Sequence, residues 1–306
     1  MTAAQGVITL PGRLSYSALS SYAECGERWR LERGYHLDKS TWWATVAGTA
    51  LHSMTEAWDR QQLGEDVQVP DFETALDIAV AVERSKGREI KASGYKRQSI
   101  TKDGGPNKKD REWWSHWGPI YFQSYVDWRK LTKWTIPALP DGTVGIEVRI
   151  EVPFGGRDQL GFIDRVFILP DGRIAIVDIK SGKEPSGRLQ LAVYAIALER
   201  LYGIVADLGM YWMAGTGEIV GPFDLTAFSE EYVDHQFEMA WRGIEAGVFL
   251  PNITNMCKGC GVRDYCRAFA GSKSLSIPVK DVLRPRTAPL QDPQRVNVTQ
   301  DTPAAA

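Results

Sequence analysis

The chain has 306 residues, 43% of them hydrophobic and 24% charged, with a formal net charge of −2. That length buries a full core, in one large domain or a domain with an added lobe. The near-neutral balance does not advertise a nucleic-acid binder, and no apolar run is long enough to span a membrane. Met1 to Leu10 lacks the basic region and apolar core of a secretory signal, so a cytoplasmic location follows by default.

Residues 1–13 read as an N-terminal extension. Ser15 to Arg33 reads as a helix, with Ser15 or Ser17 as its N-cap. Val46 to Arg60, carrying His52 and Glu56, and Phe72 to Lys91 read as two more. Lys86 to Arg111 holds nine Lys/Arg against three acids, and Trp113, Trp114 and Trp117 follow at once. A basic segment beside aromatics suits phosphate contacts and base stacking. The alternative is a solvated loop before an amphipathic helix that buries its tryptophans, and for the tryptophans that is the preferred reading. Asp110 to Lys133 supplies this helix. Val144 to Val152, Leu160 to Leu169 and Arg173 to Ile179 then read as a three-stranded meander. Helix Leu189 to Tyr202, strand Leu208 to Met213 and helix Ser229 to Ala246 follow. The order predicts an α/β fold with a mixed central sheet inside a helical surround. From Ser272 the chain is rich in Pro, Gln, Asp and Thr, and residues 272–306 read as a disordered tail.

The chemistry concentrates in the meander. Asp164 lies in Gly161-Phe162-Ile163-Asp164-Arg165, and Asp178 and Lys180 lie in Val177-Asp178-Ile179-Lys180-Ser181-Gly182. Between them, Leu169-Pro170-Asp171-Gly172-Arg173 reads as a three-residue hairpin loop. If Leu169 faces Arg173, Asp164 and Asp178 become direct cross-strand neighbours, and Lys180 points to the face of Asp178. Two carboxylates so close repel, unless a divalent cation sits between them or one is protonated. A lysine beside such a pair suggests metal-assisted phosphodiester hydrolysis. The plainer reading of Asp178 and Lys180 is a surface salt bridge. His52 can join Asp164 and Asp178 as a third ligand, with the Ile179 carbonyl as a fourth, a donor set suited to Mg²⁺ or Mn²⁺. Lys180 would then orient the attacking water or stabilise charge on the phosphorane oxygens. Gln190 and Tyr194, four apart on one helical face, follow after a short link and can pack back over the site.

Together, Gly48-x-x-x-His52, Gly161-x-x-Asp164-Arg165, Asp178-x-Lys180-x-Gly182 and Gln190-x-x-x-Tyr194 resemble the PD-(D/E)XK nucleases of the RecB-like branch. The resemblance spans about residues 14 to 270. The joint pattern is specific, and each piece alone is not. It implies a restriction-endonuclease-like core in residues 14–271. It further implies that His52, Asp164 and Asp178 bind metal, that Lys180 is catalytic, and that Gln190 and Tyr194 support the site. Glu147, on the preceding strand, is a lesser candidate. Lys96, Arg97, Lys108, Lys109 and Arg165 are candidate DNA contacts.

The four cysteines are Cys25 and a late Cys257-x2-Cys260-x5-Cys266 cluster. Disulfides are not expected in a cytoplasmic protein. Closely spaced thiolates suggest a metal centre, either zinc or a [4Fe–4S] cluster. One early and three late cysteines resemble the iron–sulfur members of the same branch, which include AddB-type subunits and small CRISPR-associated exonucleases. Gly26 departs from their pattern, in which proline commonly follows the cysteine. Such a centre would staple the first helix to the C-terminal segment, and metal binding would become folding energy.

The resemblance implies a metal-dependent exonuclease acting on single-stranded DNA or DNA ends, with 5′-to-3′ polarity, in repair, recombination or viral DNA processing. Two alternatives are a CRISPR-adaptation nuclease trimming spacers with an integrase complex and a non-catalytic DNA-binding scaffold. No Gly-x4-Gly-Lys-Ser/Thr stretch occurs, so unwinding would fall to a helicase or recombination partner. An oligomer is compatible with the branch. A zinc hydrolase built on His52 and Glu56 fails for want of a second histidine at ligand spacing.

Overall fold

The computed structural model describes residues 6–37, 40–93 and 108–285. In chain order it contains β1 (Val7–Thr9), α1 (Tyr16–Glu24), α2 (Gly26–Trp29), β2 (Thr41–Trp42), α3 (Trp43–Gln62), α4 (Phe72–Ser85), β3 (Ile90–Lys91) and α5 (Arg111–Leu131). The second half adds β4 (Ile146–Phe154), β5 (Arg157–Ile168), β6 (Ile174–Lys180), α6 (Leu189–Tyr202), β7 (Leu208–Met213), β8 (Glu218–Asp224), α7 (Glu230–Glu245) and β9 (Val282–Arg284). Five strands form one mixed sheet in the order β4-β5-β6-β7-β8, in which only β6 and β7 run parallel. A parallel step needs a crossover, and α6 supplies it.

The period-2 alternation of the strands sorts their side chains onto two faces. Ile176, Tyr211 and Met213 pack with α1, α6 and α7 on one face. Ala175, Val177, Ile179, Met210 and Trp212 face α3 and α5 on the other. A separate cluster binds α3, α4 and α5 to one another, and it buries Trp113 and Trp114 to 5% and 2% exposure. Those tryptophans are core, with Trp117 packed against them.

The helix expected over Phe72 to Lys91 ends at Ser85, and Ile90–Lys91 pairs with Thr41–Trp42 instead; three further expectations need correction. Residues 15–33 do not form one helix. Cys25 breaks it in an extended conformation, and a π-helical turn at Arg30–Gly34 follows α2. Gly26 sits where the incoming backbone of Phe249 and Leu250 would lie 3.0 Å from an added Cβ, so the crossing of these two segments requires its bare backbone. β8 was absent from the predicted elements because its Pro222 interrupts the strand signal, which edge strands tolerate.

The third correction concerns the tail, which does not begin at residue 272. β9 pairs in parallel with β1, joining Val7 to Val282 and Thr9 to Arg284. Buried Arg30 donates to both carboxylate oxygens of Asp281, at 2.6 and 2.8 Å, and to the Pro278 carbonyl. Ending the chain after Gly271 removes β9 and leaves this guanidinium with Glu27 as its remaining acid, at 3.1 Å. Breaking one partner from a buried ion pair costs about 3–5 kcal/mol at most, and each kcal/mol moves the melting temperature by about 2–4 °C in a domain of this size. The truncated protein is therefore expected to melt about 10 °C lower in a circular-dichroism scan. An unchanged melt would mean that the clasp adds nothing.

Candidate active site

The β5–β6 ladder runs from Ile168 opposite Ile174 to Arg165 opposite Val177, the register expected from the hairpin loop. Beyond that pair the strands part. The Asp164 carboxylate takes over from the backbone, accepting from the Ile179 amide at 2.7 Å. On its other side β5 faces β4, where Ile146 pairs with Arg165 and Val148 with Ile163. Glu147 lies between those pairs with φ +48°, a conformation uncommon for any residue but glycine. Ile163 and Val166 both reach the same core cluster although three apart, so the alternation of β5 slips next to this strained residue. The slip brings the Glu147 and Asp164 carboxylates to one place.

His52 arrives from α3. Its Nδ1 lies 3.6 Å from Asp164 and 3.8 Å from Glu147, and Nε2 is 2.9 Å from the Ile179 carbonyl. Gly48, one turn earlier, allows this approach, because a Cβ there would meet the Ser181 hydroxyl at 2.8 Å. Ligand atoms of His52, Glu147 and Asp164 all lie within 4.8 Å of one another. Oxygen donors with one imidazole suit a hard divalent cation.

Asp178, at 2% exposure, is turned to Lys180, whose Nζ lies 2.6 Å from Oδ2. Lys180 also donates to Gln190 Oε1 at 3.1 Å, and Gln190 Nε2 donates to the Tyr194 hydroxyl at 2.9 Å. The lysine is thus aimed by one carboxylate and one amide, the amide held by a phenol from the next turn of α6. Burial pushes the Asp164 carboxyl upward, and burial with the Asp164 charge pushes Asp178 up to about 7. Burial alone would lower the His52 imidazolium, but Asp164, then Glu147 and Asp178, hold it up at about 9. Without a metal, then, the site gathers protons where a cation would sit.

The structure brings His52, Asp164, Asp178, Ile179, Lys180, Gln190 and Tyr194 to one locus. It differs from the expected ligand set in one respect. Glu147 joins His52 and Asp164, while Asp178 faces Lys180 instead. Glu147 falls on a strand of ordinary alternation, and the sequence marked it only as a lesser candidate on the strand before Asp164. Arg165 is corrected as a DNA contact. It is 0% exposed and binds buried Asp59 at 2.7 Å and the Asp164 carbonyl at 2.6 Å. Asp59 also accepts from Arg129 and Tyr125. Lys109 is exposed and stacks over Trp113, and Lys108 is half-buried. Lys96 and Arg97 lie outside the described residues.

Away from this site, Cys25, Cys257, Cys260 and Cys266 are all half-buried and line one cavity with Arg28. The backbone amides of Arg28 and Asn252 point at the Cys25 sulfur, each at 3.4 Å.

An acidic cluster beside a braced lysine, at the opened end of a mixed α/β sheet, is the arrangement of a hydrolytic nuclease core. The family model of the PD-(D/E)XK nuclease superfamily matches residues 13–267, and the chain belongs to that superfamily. It is similar to the Gene 69 protein of Mycobacterium phage D29, at 30% identity over 86% of this chain and 98% of that one. The Gene 69 protein of Mycobacterium phage L5 is 28% identical over 83% of this chain and 96% of its own length. Among solved structures, an exonuclease candidate from Eubacterium rectale superimposes with a TM-score of 0.43 at 13% identity, covering 81% of this chain and 87% of that one. Among the described residues, no helix is long and apolar enough to cross a membrane.

Proposed function

We propose that the chain is a Mg²⁺- or Mn²⁺-dependent deoxyribonuclease that degrades single-stranded DNA or DNA from its ends. The observation that carries this reading is the convergence of His52, Glu147 and Asp164 within 4.8 Å, beside a lysine ion-paired to Asp178. Glu147, Asp164 and His52 would hold the cation, with the Ile179 carbonyl and Asp178 completing the set. A bound cation supplies polarisation of the scissile phosphate and a more acidic water. Lys180, fixed by Asp178 and Gln190, donates to the oxygens on which charge develops as the phosphodiester is attacked. Exonuclease action with 5′-to-3′ polarity follows the resemblance to the RecB-like branch. The phage origin of the similar Gene 69 proteins favours viral DNA processing, with any unwinding supplied by a partner.

We read the cysteine cavity as the seat of a [4Fe–4S] cluster. Four half-buried thiols lining one cavity, and the likeness of their spacing to the iron–sulfur members of the RecB-like branch, support this reading.

The test is an anaerobic digestion of end-labelled single-stranded DNA with Mn²⁺ or Mg²⁺. Wild-type protein is expected to degrade it, releasing label in the order that fixes polarity. Lys180→Ala and Glu147→Gln are each expected to slow this by about 100-fold or more, the scale of losing one transition-state donor. Strong binding without cleavage by intact protein would move the reading to a scaffold.

A further inference from the structure

A groove of about 770 Å³ reaches two residues that support the proposed active site. Gln190 and Tyr194, the residues that brace Lys180, line its inner end. Tyr16 and Phe162 lie along it, and Lys86 and Arg88 close the far end. Those two cations share one acid, Glu83, at 2.8 and 2.9 Å, so this rim keeps an excess positive charge.

Arg33 lines the same groove and is unlike the other arginines there. Its Nε is buried and has no hydrogen-bond partner. Its one hydrogen bond among the described residues runs from Nη2 to the Ser17 hydroxyl at 3.3 Å. The adjacent acid, Glu32, is already paired with Arg28 at 3.0 Å. Burial, helped by the like charge of Arg28, pulls the Arg33 guanidinium below its usual range despite Glu32. A half-buried guanidinium with one unmet donor and a weak second bond has charge left for an anion to satisfy.

Building on the nuclease reading, we infer that Arg33 binds a backbone phosphate of a single DNA strand that runs along this groove into the active site. A planar guanidinium is the side chain best matched to a phosphate. Tyr16 and Phe162 give the groove faces on which unpaired bases stack, as strand-tracking sites require. The backbone would pass from the basic rim at Lys86 and Arg88, past Arg33, to Lys180. Arg33 is therefore a binding residue that sets the register of the strand, not one that touches the reacting phosphate.

The test measures binding of a fluorescent 20-nucleotide single strand by anisotropy in EDTA, over a series of salt concentrations, with folding checked by melting. Arg33→Gln is expected to weaken binding about tenfold and to flatten the slope of log Kd against log salt by about 0.7, the share of one phosphate contact. With metal present, its KM for the strand should rise about tenfold while kcat changes less than threefold. Kd within twofold of wild type with an unchanged slope overturns the assignment. If Arg33→Gln does not fold, Arg33→Lys and Arg88→Gln carry the test. Arg33→Lys should keep the salt slope and lose affinity about threefold, whereas Arg88→Gln should lose slope. Wild-type behaviour in both overturns it. Tighter binding of duplex than of single strand also overturns it. Cleavage by wild type with no effect at Arg33 would leave the nuclease standing and this inference refuted. Arg33-dependent binding without any cleavage would do the reverse.

Discussion

Asp178→Asn is expected to slow cleavage by about 100-fold or more and, in the metal-free protein, to raise the melting temperature above neutral pH. The two effects share a cause. Asp178 is almost wholly buried, just past the end of the β5–β6 ladder where the strands part. Burial, followed by the Asp164 charge, raises its pKa from an ordinary value of about 3.9 to about 7. A carboxyl raised in this way holds its proton in the folded state while the unfolded chain releases it. Its contribution to stability is fully present below about pH 4 and is lost as the pH rises through about 7. Asparagine does not ionise and escapes that loss. The variant's advantage should therefore grow between about pH 4 and pH 7 and level off above. Mg²⁺ reverses the comparison, because a ligand at 100 times its Kd stabilises the folded state by about 2.7 kcal/mol. Wild type should gain this and the variant should gain little. Melting curves in EDTA and in Mg²⁺ at pH 5 and pH 8 decide the matter. A variant that melts with wild type at pH 8 in EDTA would mean that the acidic pair carries no strain.

Asp59→Ala should damage the same site without touching it. Asp59 is 0% exposed and accepts from Arg165, Arg129 and Tyr125. Removing it leaves fully buried Arg165 without its main counter-charge, at a cost of about 3–5 kcal/mol. The melting temperature should fall by about 10 °C. Arg165 also holds the Asp164 carbonyl at 2.6 Å and approaches Glu147 at 3.5 Å. Metal affinity should therefore drop alongside stability, which a surface destabilisation would not cause. Titration calorimetry with Mn²⁺ at 10 °C, where the variant is still folded, separates the two effects. Unaltered affinity would mean that the Asp59–Arg165 pair is structural only.

Much of this arrangement can be read from local signals. The hairpin loop at Leu169 to Arg173 sets the strand register as far as Arg165 opposite Val177, beside Asp164 and Asp178. The apolar run at Leu189 to Tyr202 specifies α6 at its observed bounds. What escaped reading depends on contacts between distant segments. Arg165 looked like a surface cation because its partner, Asp59, lies 106 positions away. Glu147 gave no periodic signal because its role comes from a positive φ, which no propensity of glutamate encodes. β1 and β9 are three residues each, too short to carry a pattern, and exist only because they meet. The break at Cys25 follows from the crossing of residues 249–250, which only the folded chain brings near.

The pairing of Val7–Thr9 with Val282–Arg284 has a consequence for how the enzyme is made. At about 5–20 residues per second, tens of seconds separate synthesis of the first segment from synthesis of the second. During that interval the early strand lacks its partner and Arg30 has Glu27 alone. The ribosome must release nearly the whole polypeptide before either can be satisfied. A product of translation interrupted before β9 would lack the closure, and α1 and α2 would be held by their core packing and by residues 248–250 alone. Only complete translation products would then be durable nucleases.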